Sequence, residues 1–184
     1  MALFARTAPA PTPAPVPVPV PETWTPEGTL VSQRYRALEG AIVLVYTADA
    51  DRGTAYYAAA CLGCTFRADQ NVGHNPMSEA EAAKVANEHA TVCRAMPRGV
   101  PARPEDPEAV ELVRSWLWRH RYGTSPHPVH LADFNALRVD LQRSTHWIKA
   151  LLESLVQAEP GFLTAAPTSD GQGIRFMVQP FGRP

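Results

Sequence analysis

The chain has 184 residues, 45% of them apolar, and its 17 basic and 18 acidic side chains leave a net charge of −1. That length can bury one core or two small ones. The near-neutral charge gives no bulk attraction to nucleic acid or to a membrane surface. No run of about 18 apolar residues occurs, so no membrane-spanning helix is expected.

Residues 1–21 are a low-complexity tail, A-P-A-P-T-P-A-P-V-P-V-P-V-P at its centre. Alternating proline forbids helix and removes backbone donors, which favours an extended polyproline II spacer. It lacks the continuous apolar stretch of a signal peptide. Such a tail is either a solvated spacer or a ligand for an aromatic groove. A β-rich, zinc-finger-like domain is expected over residues 22–97. A turn-rich entry carries Trp24. Residues 31–37 then alternate polar with apolar, as a half-exposed strand does. Residues 41–46, A-I-V-L-V-Y, form a continuous β-branched run suited to a buried strand. Residues 49–53, D-A-D-R-G, are turn chemistry, and Asp49 and Asp51 have no third carboxylate to make them a magnesium site. A further strand over 54–60 runs straight into Cys61.

The three cysteines of the chain, Cys61, Cys64 and Cys93, fall in one pattern. Cys61-Leu62-Gly63-Cys64 has the two-residue gap that turns both sulfurs toward one point. His89 and Cys93 are four apart and project from one face of a helix. Ser78, three before Glu81, gives that helix a capping box, and Pro97 with Gly99 ends it. Two thiolates on a turn, with an imidazole and a thiolate on a helix, make the closed tetrahedral set of structural zinc. A redox pair at Cys61 and Cys64 would need a thioredoxin-like βαβ pattern, which is absent, and a disulfide would leave Cys93 odd. His74, in a loop before Asn75-Pro76, is the rival fourth ligand to His89.

The string C-x-G-C followed by E-A-x-x-V-A-N-x-H-A-x-x-C-R-A-x-P resembles a small zinc-finger-like segment of proteins from high-GC bacterial plasmids, prophages and integrative elements. The resemblance spans residues 60–97. It implies Cys61, Cys64, His89 and Cys93 as ligands of a structural Zn2+ and implies nothing catalytic.

Residues 98–106, rich in proline and arginine, read as a linker. After it the pattern turns helical. Asp106 is placed as an N-cap with Pro107 at the first helical position, and Val110, Val113, Trp116, Leu117 and His120 as an inward stripe. Residues 123–128 read as loop and 131–137 as a short helix. Residues 138–140 read as a turn, and a longer helix starts at Asp140 or Ser144. Two strands, 162–166 and 174–179, are joined by the turn-rich 167–173. His120, His127 and His130 have no acid or thiol spaced to complete a second metal site.

The order helix, short helix, turn, long helix, hairpin, with the apolar pattern of residues 133–155, resembles the helix-turn-helix of winged-helix proteins. The resemblance implies a winged-helix domain over 107–184 whose third helix enters the DNA major groove. Gln142, Arg143, Thr145, His146 and Lys149 would then face the DNA, with Ser169, Gln172 and Arg175 on the wing. Arg138 stands at the turn position where glycine is usual.

The sequence therefore predicts an α+β chain of two modules behind the tail. It predicts a DNA-binding regulatory or accessory protein of the cytoplasm, with double-stranded DNA as partner. The alternative is a protein–protein adaptor that does not bind DNA. No phosphate loop, serine elbow or paired-carboxylate motif is present, so neither an enzymatic activity nor a small-molecule substrate is expected. An adaptor would show an exposed apolar patch including Trp118 or Trp147. A DNA binder would gather Arg138, Arg143, Lys149 and Arg175 on one face.

Overall fold

The computed structural model describes residues 23–49, 55–168 and 173–181. Over these residues the chain is mixed α+β, with two antiparallel sheets and four α-helices. The proline-rich tail, part of the turn after Asp49, and Ser169 and Gln172 of the expected wing lie outside the described residues.

The first sheet runs β1 (Thr29–Arg36), β2 (Ile42–Ala48), β3 (Tyr57–Cys61) and β4 (Arg67–Ala68), paired in that order. The apolar run in β2 is buried on both sides. Val43 and Val45 pair with Cys61 and Ala59 on one face, and Leu44 and Tyr46 pair with Ala60 and Ala58 on the other. β1 is an edge strand that alternates half-buried with exposed after the buried Thr29, and its pairing with β2 carries a bulge between Val31 and Gln33.

Helix α1 (Glu79–Val92) lies on the first of these faces. Ser78 and Glu81 exchange both bonds of a capping box at its start. Its buried residues are Ala82, Ala86 and Ala90, spaced four apart. These small side chains let the helix sit close to the sheet, with Ala83 and Val85 packed at its margin, but the three buried methyl groups themselves contribute only roughly 2–3 kcal/mol, at ~0.8 kcal/mol each.

The second half runs α2 (Asp106–Arg119), β5 (His127–Val129), a 3-10 helix (Leu131–Leu137), α3 (Arg138–Leu141), α4 (Thr145–Ala158), β6 (Leu163–Pro167) and β7 (Ile174–Val178). Its sheet order is β5-β7-β6. The core joins Val113 and Leu117 of α2, Ile148 and Leu152 of α4, Phe134, and Phe176 of β7.

Several boundaries differ from the sequence reading. Glu105, not Asp106, caps α2. Residues 138–141 are helical rather than a turn, and α3 ends at Gln142, which adopts φ +46. The helix after it starts from Ser144, whose side chain accepts from the Trp147 N–H. His127 and Pro128, read as loop, pair with β7 together with Val129.

The linker is no free hinge, since the two halves are fastened together. Tyr46 donates its hydroxyl to Asn135 O (2.9 Å), and Asn135 Nδ2 donates to Tyr56 O (3.0 Å). Burial pushes the Tyr46 hydroxyl well above its ordinary range, so it stays a neutral donor. Asp49 accepts from both Thr145 N (2.8 Å) and Thr145 Oγ1 (2.6 Å), closing the free N-terminal end of α4. Arg138, fully buried, stands 3.7 Å from Asp49 and donates to Arg143 O (3.1 Å) and Thr145 Oγ1 (3.0 Å). Burial draws its guanidinium down to about 10, with Asp49 opposing, and it keeps its charge at neutral pH. Gly28, at φ +79, comes so near that a Cβ there would lie 1.9 Å from Arg143 O.

Candidate metal centre

The end of β3 carries Cys61. Leu62 N donates to Ile42 O (2.8 Å), and Cys61 N donates to Phe66 O (3.1 Å), closing a tight knuckle. Within it Gly63 N approaches Cys61 Sγ and Phe66 N approaches Cys64 Sγ, each at 3.4 Å. Such N–H contacts favour a thiolate over a thiol. Gly63 must be glycine on space alone: a Cβ would meet Ala41 Cβ at 2.5 Å and Met96 O at 2.8 Å.

The last turn of α1 brings His89 and its C-cap Cys93 to the same point. His89 stacks flat on Phe66, with centroids 3.9 Å apart and planes at 9°. Cys64 Sγ lies 3.4 Å from His89 Nε2 and 4.0 Å from Cys93 Sγ. One ligand atom from each of Cys61, Cys64, His89 and Cys93 falls within 4.8 Å of the others. Around one tetrahedral zinc, sulfur–nitrogen and sulfur–sulfur separations are about 3.6 and 3.8 Å, given Zn–S near 2.3 Å and Zn–N near 2.0–2.1 Å. The donor set and its spacing fit that ion. All three cysteines are free of disulfides. Burial raises the Cys61 thiol to about 11 and lowers His89, so each is held in its uncharged form until a cation enters. His74, the rival ligand, sits exposed in a turn at φ +58 and outside the cluster.

The knuckle is braced from outside by a residue the sequence did not single out. Arg67 Nη1 donates to the carbonyls of Cys61 (2.9 Å) and Phe66 (2.8 Å). The same guanidinium meets Asp140 of α3 through Nε (3.0 Å) and Nη2 (2.6 Å). The only sequence signal was a cation directly after the C-x-x-C turn. Its partner lies 73 positions away and left no trace.

The residues nominated for DNA fall in two groups. Gln142 and Arg143 are not outward, which corrects the sequence reading. Gln142 Nε2 donates to Pro101 O (3.1 Å) and Ala102 O (3.0 Å). Arg143, 2% exposed, donates to Pro104 O (2.7 Å), Gln142 O (3.0 Å) and Asp106 Oδ1 (2.8 Å), with its guanidinium over the Trp147 ring. The cause is register. Because α4 starts from Ser144, these residues precede the helix and turn in against the linker. Thr145 is committed to Asp49. His146, Lys149 and Arg175 are exposed, and Lys149 lies 3.9 Å from Glu153. The clustering of Arg138, Arg143, Lys149 and Arg175 on one face does not occur.

Trp147 is half-buried, whereas Trp118 is 53% exposed and Phe181 55%, meeting edge to face at 5.4 Å. Arg121 lies over both rings, at 5.0 and 4.6 Å from their centroids, and donates to Gln179 O and Pro180 O. His120, His127 and His130 line one cavity, but among the described residues the cysteine cluster is the one set of three or more ligand atoms within mutual reach. No helix among the described residues is long and apolar enough to cross a membrane. Comparison of the chain with protein-family models, curated proteins and solved structures finds no match.

Proposed function

We propose that the chain is a non-catalytic, zinc-stabilised docking protein whose second half is a winged helix used against a protein partner. The zinc reading rests on the Cys61, Cys64, His89 and Cys93 cluster. With three sulfurs and an imidazole the set is closed and leaves no position for substrate. Its role is to pin α1, which the alanine face alone holds weakly. The winged-helix reading is supported by the order helix, strand, helix, helix, strand, strand, with β7 between β5 and β6. The β6–β7 hairpin would be the wing.

The observation that carries docking over DNA reading is the placement of the arginines. Arg138 and Arg143 are internal struts, and the outer face of α4 offers Lys149 beside Glu153, with no basic excess. The second half shows solvent an aromatic–arginine patch at Trp118, Arg121 and Phe181, the composition of interface hot spots. The test sets the zinc-loaded protein against a randomised duplex DNA pool over a range of salt, and uses it as bait beside a Trp118→Ser, Phe181→Ser double variant. The docking reading expects no salt-steep DNA retention, and a partner that binds the purified protein but not the variant. Enrichment of one DNA sequence that disappears with Lys149→Ala and Arg175→Ala would sink it. That result would restore the DNA-binding reading, which the element order and the exposed His146, Lys149 and Arg175 support.

A further inference from the structure

A cavity of about 580 Å3 opens where the two halves meet, lined by His120, Tyr122, His127, His130 and Asp133 of the second half and by Asp69 of the first. His120 caps the end of α2. Its ring lies against Trp116, centroids 3.7 Å apart, and its Nδ1 stands 2.7 Å from Trp116 O. A carbonyl only accepts, so Nδ1 carries a proton, and in the neutral ring the lone pair is on Nε2. This is the arrangement metal-binding imidazoles use, one nitrogen held by a backbone carbonyl and the other free to ligate.

His127 is fixed on β5 by its pairing with Val178. Its ring centroid is 5.4 Å from that of His120. Two imidazoles on one tetrahedral ion have centroids about 5.1 Å apart, given metal–nitrogen bonds near 2.0–2.1 Å. The two ring centroids are therefore separated, to within a few tenths of an ångström, as those of two imidazoles on one ion would be. Burial, and then the neighbouring His120, hold His127 below the usual imidazole range, which keeps it in the neutral form that ligates. The spacing of these histidines along the chain offers no acid to complete a site, but the fold brings two carboxylates to the cavity they line. Asp133 acts electrostatically on His127, and Asp69 lines the same cavity. Asp133 itself accepts from His130 N (2.8 Å), so it contributes field rather than a bond.

We propose that His120 and His127 form a second metal site, separate from the cysteine cluster, that takes a borderline divalent cation of the Zn2+, Co2+ or Ni2+ class with water in its remaining positions. Imidazole is the ligand these ions share, and an open cavity admits the hydrated ion. The site is weaker than the cysteine cluster because two neutral ligands, not three thiolates and an imidazole, hold the cation. The proposal goes beyond the docking reading and does not depend on it.

The experiment is a Co2+ titration of the full chain already carrying one equivalent of zinc, followed by visible absorption. One further equivalent is expected, with ligand-field bands and no thiolate charge transfer. His127→Gln and His120→Phe, the latter keeping a ring on Trp116, each weaken it by more than about tenfold, since even losing an outer-shell partner of a ligand costs that much. His146→Gln, on an exposed histidine elsewhere, leaves it unchanged. Circular dichroism and retained zinc certify each variant's fold, and if His120→Phe does not fold, the partly exposed His127→Gln decides alone. The proposal is overturned by no binding below millimolar Co2+, by binding indifferent to the His127 variant, or by binding that brings thiolate charge transfer.

Discussion

Arg143→Ala separates a structural arginine from a DNA-reading one. The wild-type guanidinium is buried and donates to the carbonyls of Pro104 and Gln142 and to Asp106 Oδ1. Hydrogen bonds from a charged donor contribute about 1.5–3 kcal/mol each, and a buried carbonyl left without a donor costs about 1–3 kcal/mol. Relief from burying the guanidinium offsets part of this, and Asp106, three-quarters exposed, is rehydrated at little cost. The net loss works out to roughly 3–4 kcal/mol. With a urea slope near 2 kcal/mol/M, that shifts the unfolding midpoint of the zinc-loaded protein down by about 1.5–2 M. Lys149→Ala is the control: its side chain is half-exposed and its partner Glu153 lies at 3.9 Å, so the expected change is under about 0.5 kcal/mol. If Arg143→Ala moved the midpoint no further than Lys149→Ala, Arg143 would not be an internal strut, and the burial argument against DNA reading would fail with it.

Chelation should melt α1, because the roughly 2–3 kcal/mol from its alanine face is far below what a structural zinc supplies. Far-UV circular dichroism should then lose about one helix, His89→Ala should reproduce the loss with zinc present, and His74→Ala should not. Gly28→Ala should destabilise by more than about 3 kcal/mol, since a positive φ and a backbone clash with Arg143 O act together; a thermal midpoint within a degree of wild type would contradict the close approach. Asp140→Asn removes the charge opposite Arg67 and should both lower stability and raise the zinc dissociation rate, read by release to a coloured chelator. The Arg114 hydrogen bond holds the Glu159 carboxyl below its usual 4.5, so that pair stabilises the fold above that pH and its contribution fades as pH falls through the lowered value. Arg114→Gln should therefore flatten the acid limb of the stability curve. Asp69, raised by burial, works in the opposite direction: its cost sets in as pH rises from 3.8 through the raised value.

What the sequence showed was local. The β2 run, the Ser78–Glu81 box and the Cys61, Cys64, His89, Cys93 spacing each depend on residues near one another, and the structure places them together. The hairpin of β6 and β7 was visible in the same way. What the sequence hid depends on partners far along the chain. The inward turn of Arg143 needs the linker carbonyls 39 positions earlier, and a one-dimensional pattern reads any arginine near a helix start as solvated. The helix start itself was left between Asp140 and Ser144. That choice decides whether Gln142 and Arg143 ride on the helix or precede it, so a four-residue uncertainty reversed their direction. β5 escaped because His-Pro-Val is too short to alternate, and only its pairing with β7 makes it a strand.

The central strands of the first sheet have no side of their own to turn toward water. α1 shields one surface, and the second half shields Leu44, Tyr46, Ala58 and Ala60 on the other, with Val139 packed among them. The second half is thus the solvent barrier of the first. A fragment cut at the linker would present a flat apolar sheet to its neighbours, the surface from which strands stack into aggregates.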